Sequence, residues 1–331
     1  MLQKPLGDSN LLVTQLGLGL AALGRPGYIN LGHATDLQGR YETTAMADHA
    51  ATVLDTAWQG GIRYFDVARS YGRSEEFLGR WLRKRSIVPD TVVVGSKWGY
   101  RYTADWQVKA EHHEIKEHTL ATLTEQWPQS LAQLGPYLRL YQIHSATLES
   151  GVLQDRAVLA ALAARKEDGG CVGLSLSGAQ QSAVLEQAMT CRIDGVRLFD
   201  AVQATWNLLE PSAAPALAVA QRAGIGVIVK EVLANGRLTT RNLDPTFAPK
   251  LALLQQQSQR LGGTVDALAI AAALAQPWAA VVLSGAATVA QLKANLAGLT
   301  LHWDDEAADA LAGLAESPGQ YWNTRSRLVW N

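Results

Sequence analysis

The sequence predicts a (β/α)8 TIM barrel, built by residues 1–331 as a single domain and carrying its site at the C-terminal rim of the strands. Three observations lead there. Eight short runs rich in Val, Ile and Leu alternate with stretches whose apolar residues recur at helical spacing, the pattern of a parallel sheet buried on both faces. No composition break marks a linker. Three of the strands end on titratable residues, so chemistry gathers at one end of the sheet. An open doubly wound sheet is the competitor, but Gly17-Leu18-Gly19 lacks the third glycine of a dinucleotide fingerprint and is followed by a long loop.

In chain order, residues 12–20 read as a strand that closes with glycines where backbone or ligand must come close. Residues 21–45 form an unusually long Gly-rich connection, and such loops are usually functional or mobile. Met46, Ala50, Val53, Leu54, Ala57 and Trp58 share one helical face, and Gly60-Gly61 stops the helix. The strand through Phe65 follows. Ser74 then reads as the N-cap of a helix with Phe77, Leu78, Trp81 and Leu82 on its apolar face. The alternation continues with strand 91–97, helix 113–133, strand 138–144, helix 154–167, strand 171–176 and helix 180–189. Strand 195–204, helix 211–222, strand 225–230, helices 249–260 and 265–276, and strand 279–284 complete the barrel pattern. Helices over 288–297 and 304–315 finish the core, and a tail with Tyr321, Trp322 and Trp330 is aromatic enough to dock.

The bulk numbers exclude several classes. With 48% hydrophobic residues, 18% charged and a formal net charge of -1, nothing draws the chain to nucleic acid or to a membrane surface. The apolar region 265–287 is broken by Asp266, Gln276 and Pro277, short of the ~20 uninterrupted residues of a membrane span. Residues 11–23 read as strands rather than as a signal peptide. Cys171 and Cys191 have no Cys-x-x-Cys spacing, so reduced thiols and a cytoplasmic location are expected. His112, His113 and His118 lie among Glu111, Glu114, Lys116 and Glu117 on an expected solvated helix start, and no metal site is assigned to them.

Chemistry concentrates on four residues. Asp66 falls at the end of the second strand and Tyr71 in the loop beyond it, while Lys97 and His144 end the third and fourth strands. A phenol is a weak acid, with an ordinary pKa of about 10. An ammonium beside it favours the phenolate, so Lys97 is expected to bring Tyr71 into a useful range, with Asp66 holding the lysine. His144 is placed to polarise a carbonyl oxygen as charge develops there. Together these groups would move a proton during hydride transfer.

The segments Phe65-Asp66-Val67-Ala68-Arg69-Ser70-Tyr71-Gly72, Gly95-Ser96-Lys97 and Gln142-Ile143-His144 resemble the catalytic motifs of the aldo-keto reductases, over nearly the whole chain. The general pattern is most similar to the sugar-dehydrogenase branch that includes D-threo-aldose 1-dehydrogenase and L-galactose dehydrogenase. The resemblance implies NAD or NADP lying extended across the barrel mouth, a small carbonyl or sugar substrate, and Tyr71 as acid and base. It implies that Ser175 and Gln203 hold the nicotinamide carboxamide, that Trp206 stacks on the ring, and that Asn207 and Gly236 belong to the cofactor site. Ser284, Gly285, Ala286, Gln291 and Asn295 would hold the adenosine end. Trp98 and Tyr28 are the candidate substrate contacts.

Departures from the pattern matter. Leu176 stands where many members have asparagine, and Lys230 to Gly236 replace the usual proline-containing turn. Where NADPH-preferring members commonly carry a cation on the 2'-phosphate, this chain has Ala287 and no Lys or Arg until Lys293. A phosphate without a paired cation is costly, which leans the expectation toward NAD. A non-catalytic nicotinamide-binding sensor on the same fold is the second reading, and the oligomeric state is not legible.

Overall fold

Strand order around the barrel follows chain order. In a computed structural model that describes residues 1–167 and 169–331, eight parallel strands close on themselves. They are β1 (Leu16–Gly19), β2 (Tyr64–Asp66), β3 (Val93–Trp98), β4 (Leu138–Ala146), β5 (Cys171–Leu176), β6 (Ala201–Thr205), β7 (Gly226–Lys230) and β8 (Val281–Ser284). Closure is the pairing of β8 with β1, Val282 against Leu16 and Ser284 against Leu18. Helices such as Thr43–Gln59, Ser74–Lys84 and Leu120–Leu134 cross back outside between strands, as parallel pairing requires.

The apolar residues divide into three clusters, and the division explains where the mouth lies. Outward strand residues such as Leu18, Phe65, Val94 and Val202 pack against the helix faces, including Val53, Leu54 and Trp81. Inward residues at the opposite end, among them Tyr64, Leu140, Ile228 and Val281, pack with Leu6, Leu11 and Val13. Those last three belong to an N-terminal hairpin, Gln3–Pro5 paired antiparallel with Leu12–Thr14, which plugs the bottom of the barrel. The third cluster seats Tyr321, on the helix Pro318–Ser326, against Leu209, Leu238, Phe247 and Leu268. The expected docking of the aromatic tail is therefore met.

Four expectations change in detail. Residues 12–20 are two strands, because 12–14 pair with the chain start and only 16–19 enter the barrel. Residues 195–204 likewise split, with Val196–Arg197 pairing back to Arg192–Ile193 before β6 begins. The helix expected over 113–133 starts at Leu120: Glu114–Lys116 pair antiparallel with the β-favouring run Tyr100–Tyr102. Thr119 is its cap, Oγ1 accepting from the Thr122 amide at 3.2 Å. Ser74 does not cap its helix but lies within the first turn, its hydroxyl donating to the Ala68 carbonyl at 3.3 Å. Among the described residues no helix is long and apolar enough to cross a membrane.

Candidate active site

The open mouth leads into a cleft. Strand ends, the loop after β1, the loop after β7 and the C-terminal segment line it together. Asp66, Tyr71 and His144 face it, and Lys97 lies fully buried beneath. Lys97 Nζ is gripped by the Asp66 carboxylate and donates to the Val67 carbonyl at 3.0 Å. The other carboxylate oxygen of Asp66 accepts from Gln203 Nε2 at 2.8 Å. The Tyr71 hydroxyl stands 3.4 Å from His144 Nε2, and the Lys97 ammonium 4.8 Å from the centre of the Tyr71 ring. Residues from three separate strand ends thus converge on one point.

Close backbone packing holds Tyr71 there. A Cβ on Gly24 would lie 2.2 Å from the Tyr71 carbonyl oxygen, and one on Gly72, at φ +58°, 2.4 Å from the Gly24 carbonyl oxygen. The Arg73 amide donates to that Gly24 carbonyl at 2.8 Å. Two glycines let the long loop after β1 lie directly on the loop after β2.

Electrostatics revise the role expected of Lys97. Burial foremost, then the Asp66 charge, pushes the Tyr71 phenol well above its ordinary value, with the Arg25 guanidinium opposing. The phenol is therefore neutral near pH 7, and the ammonium that was to lower it is engaged by Asp66. Burial, then the charges of Lys97 and Arg25, drives His144 well below its ordinary value and leaves a neutral imidazole. A neutral phenol beside a neutral imidazole is a proton donor and a hydrogen-bond donor, with Lys97 and Asp66 as the fixed charge beneath.

The remaining expected contacts divide. Ser175, Gln203, Gly236, Ser284, Gly285, Ala286, Gln291, Asn295 and Tyr28 line the cleft. Trp206 does not: it points outward from the end of β6, its ring edge-on to Trp278 at 5.8 Å, within the helix-packing core. Asn207 is also displaced from the expected role. Its amide donates to the Glu231 carbonyl at 2.9 Å and to the Tyr321 hydroxyl at 3.0 Å, and its oxygen caps the Leu209 and Glu210 amides, so it braces loops. Trp98 is fully buried against His118 rather than in the substrate space.

Other residues of the cleft were not anticipated. Arg25, 2% exposed, bonds the Ser70 carbonyl at 3.0 Å and Glu114 at 2.9 Å, and lies over the rings of Tyr71 and Trp330. Glu231 at the end of β7 takes a forked bond from Arg325, with Lys230 3.7 Å away. Burial lowers Lys230 to about 8, while Thr205 Oγ1 accepts from it at 2.7 Å. The signal for Arg25 was its place in the long loop; for Glu231 and Arg325 it was nothing local, since the pair joins residues 94 apart.

A family model described as Aldo/keto reductase family matches residues 16–316. The chain belongs to the aldo/keto reductase family. It is accordingly an NAD(P)-dependent oxidoreductase. An uncharacterized oxidoreductase, YqkF, of Bacillus subtilis is 23% identical, over 89% of this chain and 90% of that protein. L-galactose dehydrogenase of Arabidopsis thaliana is 23% identical, over 90% of this chain and 88% of its own length. The solved aldo-keto reductase AKR11C1 from Bacillus halodurans, in its holo form, superposes with a TM-score of 0.73 at 22% identity, covering 96% of this chain and 97% of the other. These likenesses match the expected family and barrel.

Proposed function

We propose that this aldo/keto reductase reduces the carbonyl of a small polar molecule, and runs the reverse oxidation, with Tyr71 as the proton donor and acceptor. The observation that carries the reading is the approach of the Tyr71 hydroxyl to His144 Nε2, both facing the cleft above the buried Asp66–Lys97 pair. His144 orients the carbonyl oxygen, and Tyr71 gives it a proton as negative charge builds there. Lys97, held by Asp66, supplies the positive field. A bound nicotinamide dinucleotide supplies the hydride.

The cleft fits such a dinucleotide. The side-chain oxygens of Asn235 and Asn295 are buried, lack a partner and line it, and a Cβ on Gly285 would meet nothing within 4 Å. Ser175 and Gln203 line it, Gln203 bonded to Asp66, as do Ser284, Gly285, Ala286, Gln291 and Asn295. Ala287 brings no cation to a ribose phosphate, which supports NAD. The charged pairs Arg25–Glu114 and Glu231–Arg325 around the substrate space support a hydroxylated substrate such as a sugar. Cys171 and Cys191 are free thiols, which supports a reducing, cytoplasmic setting.

Tyr71→Phe tests the reading. The expected outcome is unchanged NADH binding, followed by intrinsic fluorescence, with turnover of a responsive aldose or aldehyde reduced about 10²–10⁴-fold. Unchanged turnover would remove Tyr71 from the mechanism, and tight binding with no turnover across a carbonyl panel would favour a sensor.

A further inference from the structure

In the connection after β1, the short helix His33–Leu37 delivers Asp36 to the end of the cleft that holds Gln291. The Asp36 side chain is only 6% exposed, and its carboxylate accepts from three donors. Arg241 Nη1 and Nη2 lie 2.8 and 2.5 Å away, and Gln291 Nε2 lies 2.8 Å away. Gln291 is itself fixed, its oxygen accepting from the Ala287 amide at 2.8 Å, in the first turn of the helix Val289–Ala297. Asp36 is therefore tied to the segment read as the adenosine end.

The charges at this end are unusual for a phosphate site. Arg241 is the cation that lines it, and Asp36 pairs with both of its terminal nitrogens. A second acid, Asp266, lines the same end, while Lys293 is turned to solvent. Two carboxylates and one guanidinium leave a formal charge of -1. A ribose 2'-phosphate entering there meets repulsion and, among the described residues that line this end, no unpaired cation, whereas a free ribose diol presents hydroxyl donors that a carboxylate accepts.

We propose that Asp36 is the specificity-determining residue of the cofactor site: it neutralises Arg241, holds Gln291, and selects a free adenosine ribose over its 2'-phosphate. The inference rests on the reading of the cleft as a dinucleotide groove. It assigns the NAD preference to an acid from the loop after β1, beyond the missing cation at residue 287.

The test is fluorescence titration of the whole protein, wild type and variants, with NADH and NADPH at one fixed salt. Wild type is expected to bind NADH at least about tenfold more tightly. Asp36→Asn frees Arg241 and is expected to shift the affinity ratio about tenfold or more toward NADPH, chiefly by tightening NADPH. Arg241→Ala is expected to keep the NADH preference. A fragment competition on wild type needs no variant to fold: AMP should displace NADH, and adenosine 2',5'-bisphosphate should do so far less well. Wild-type preference for NADPH that Arg241→Ala abolishes would overturn the inference, because Arg241 would then leave Asp36 to bind phosphate. Equal loss of both cofactors in Asp36→Asn would also overturn it, reducing Asp36 to a loop tie. Binding of neither cofactor by wild type would instead defeat the oxidoreductase reading on which the inference stands.

Discussion

Gln203 reaches from β6 across the barrel to Asp66 on β2, its Nε2 2.8 Å from the carboxylate oxygen opposite the one that holds Lys97. The carboxylate is thus fixed from both sides, and the ammonium with it. Gln203 consequently positions the buried charge as well as lining the cleft.

Asp66→Asn would leave the Lys97 ammonium buried without its counter-charge. Breaking one side of a buried pair costs about 3–5 kcal/mol, so urea denaturation should show a loss of that order together with collapse of turnover. Adding Lys97→Met to Asp66→Asn should recover much of the stability and none of the activity. A double variant no more stable than Asp66→Asn would mean that the pair is not the source of the loss.

Gly24 tests how Tyr71 is held. Its φ suits any residue, so Gly24→Ala carries no backbone penalty there, yet the new methyl would overlap the Tyr71 carbonyl and the Ser74 side chain. Such overpacking costs about 1–3 kcal/mol, and relief requires the Tyr71 loop to move. The expected signature is a fall in kcat larger than any change in NADH affinity. Retained kcat at lower stability would show that the loop relaxes without displacing the phenol.

Buried histidines should make the protein acid-sensitive above the carboxylate range. Burial holds His33 and His118 at about 4, from an ordinary 6.5. Between those values the unfolded chain binds more protons than the folded one, so stability should fall as pH drops from about 6.5 toward 4. A fully responding group contributes at most about 1.4 kcal/mol per pH unit. Chemical denaturation at pH 7, 6 and 5 measures the slope, and His33→Leu should flatten it. A wild-type stability level across that range would contradict the burial argument.

The barrel and its four central residues were legible because both are written in short segments. Strand ends come from local apolar runs, and the Asp66-to-Tyr71 and Lys97 motifs sit within a few residues of them. What escaped is written in long-range pairing. The run from His113 to His118 carries charges at plausible helical spacing, but Tyr100–Tyr102 competes for it as a strand partner, and His113 ends stacked on Trp330 at 3.8 Å. The direction of Trp206 is not legible in the sequence, because one residue decides which face of a strand a side chain takes. Gln203 and Thr205 turn inward, to Asp66 and Lys230, and Trp206 must then turn out. The environment of Tyr71 is non-local in the same way: burial dominates it, and Arg25, from the connection after β1, lies over its ring at 5.3 Å.

Arg325 ties that C-terminal segment to the end of β7. Burial alone would raise the Glu231 carboxyl, but the charges of Arg325 and Lys230 outweigh it and hold the group at about 2, below its ordinary 4.5. A depressed carboxyl contributes stability that is present above its unfolded pKa and lost as pH falls through the folded one. Arg325→Ala should therefore cost about 1–3 kcal/mol at pH 7, through a buried carboxylate that loses its charged donor. The difference from wild type should shrink as pH falls from about 4.5 toward 2, where the carboxyl takes up its proton in the folded wild type as well. Because the helix Pro318–Ser326 carries Arg325, the variant should also open that segment to proteolysis. A deficit that stays constant from pH 7 to 3 would assign the role of Arg325 to packing on Trp322, which its guanidinium overlies at 5.3 Å, rather than to Glu231.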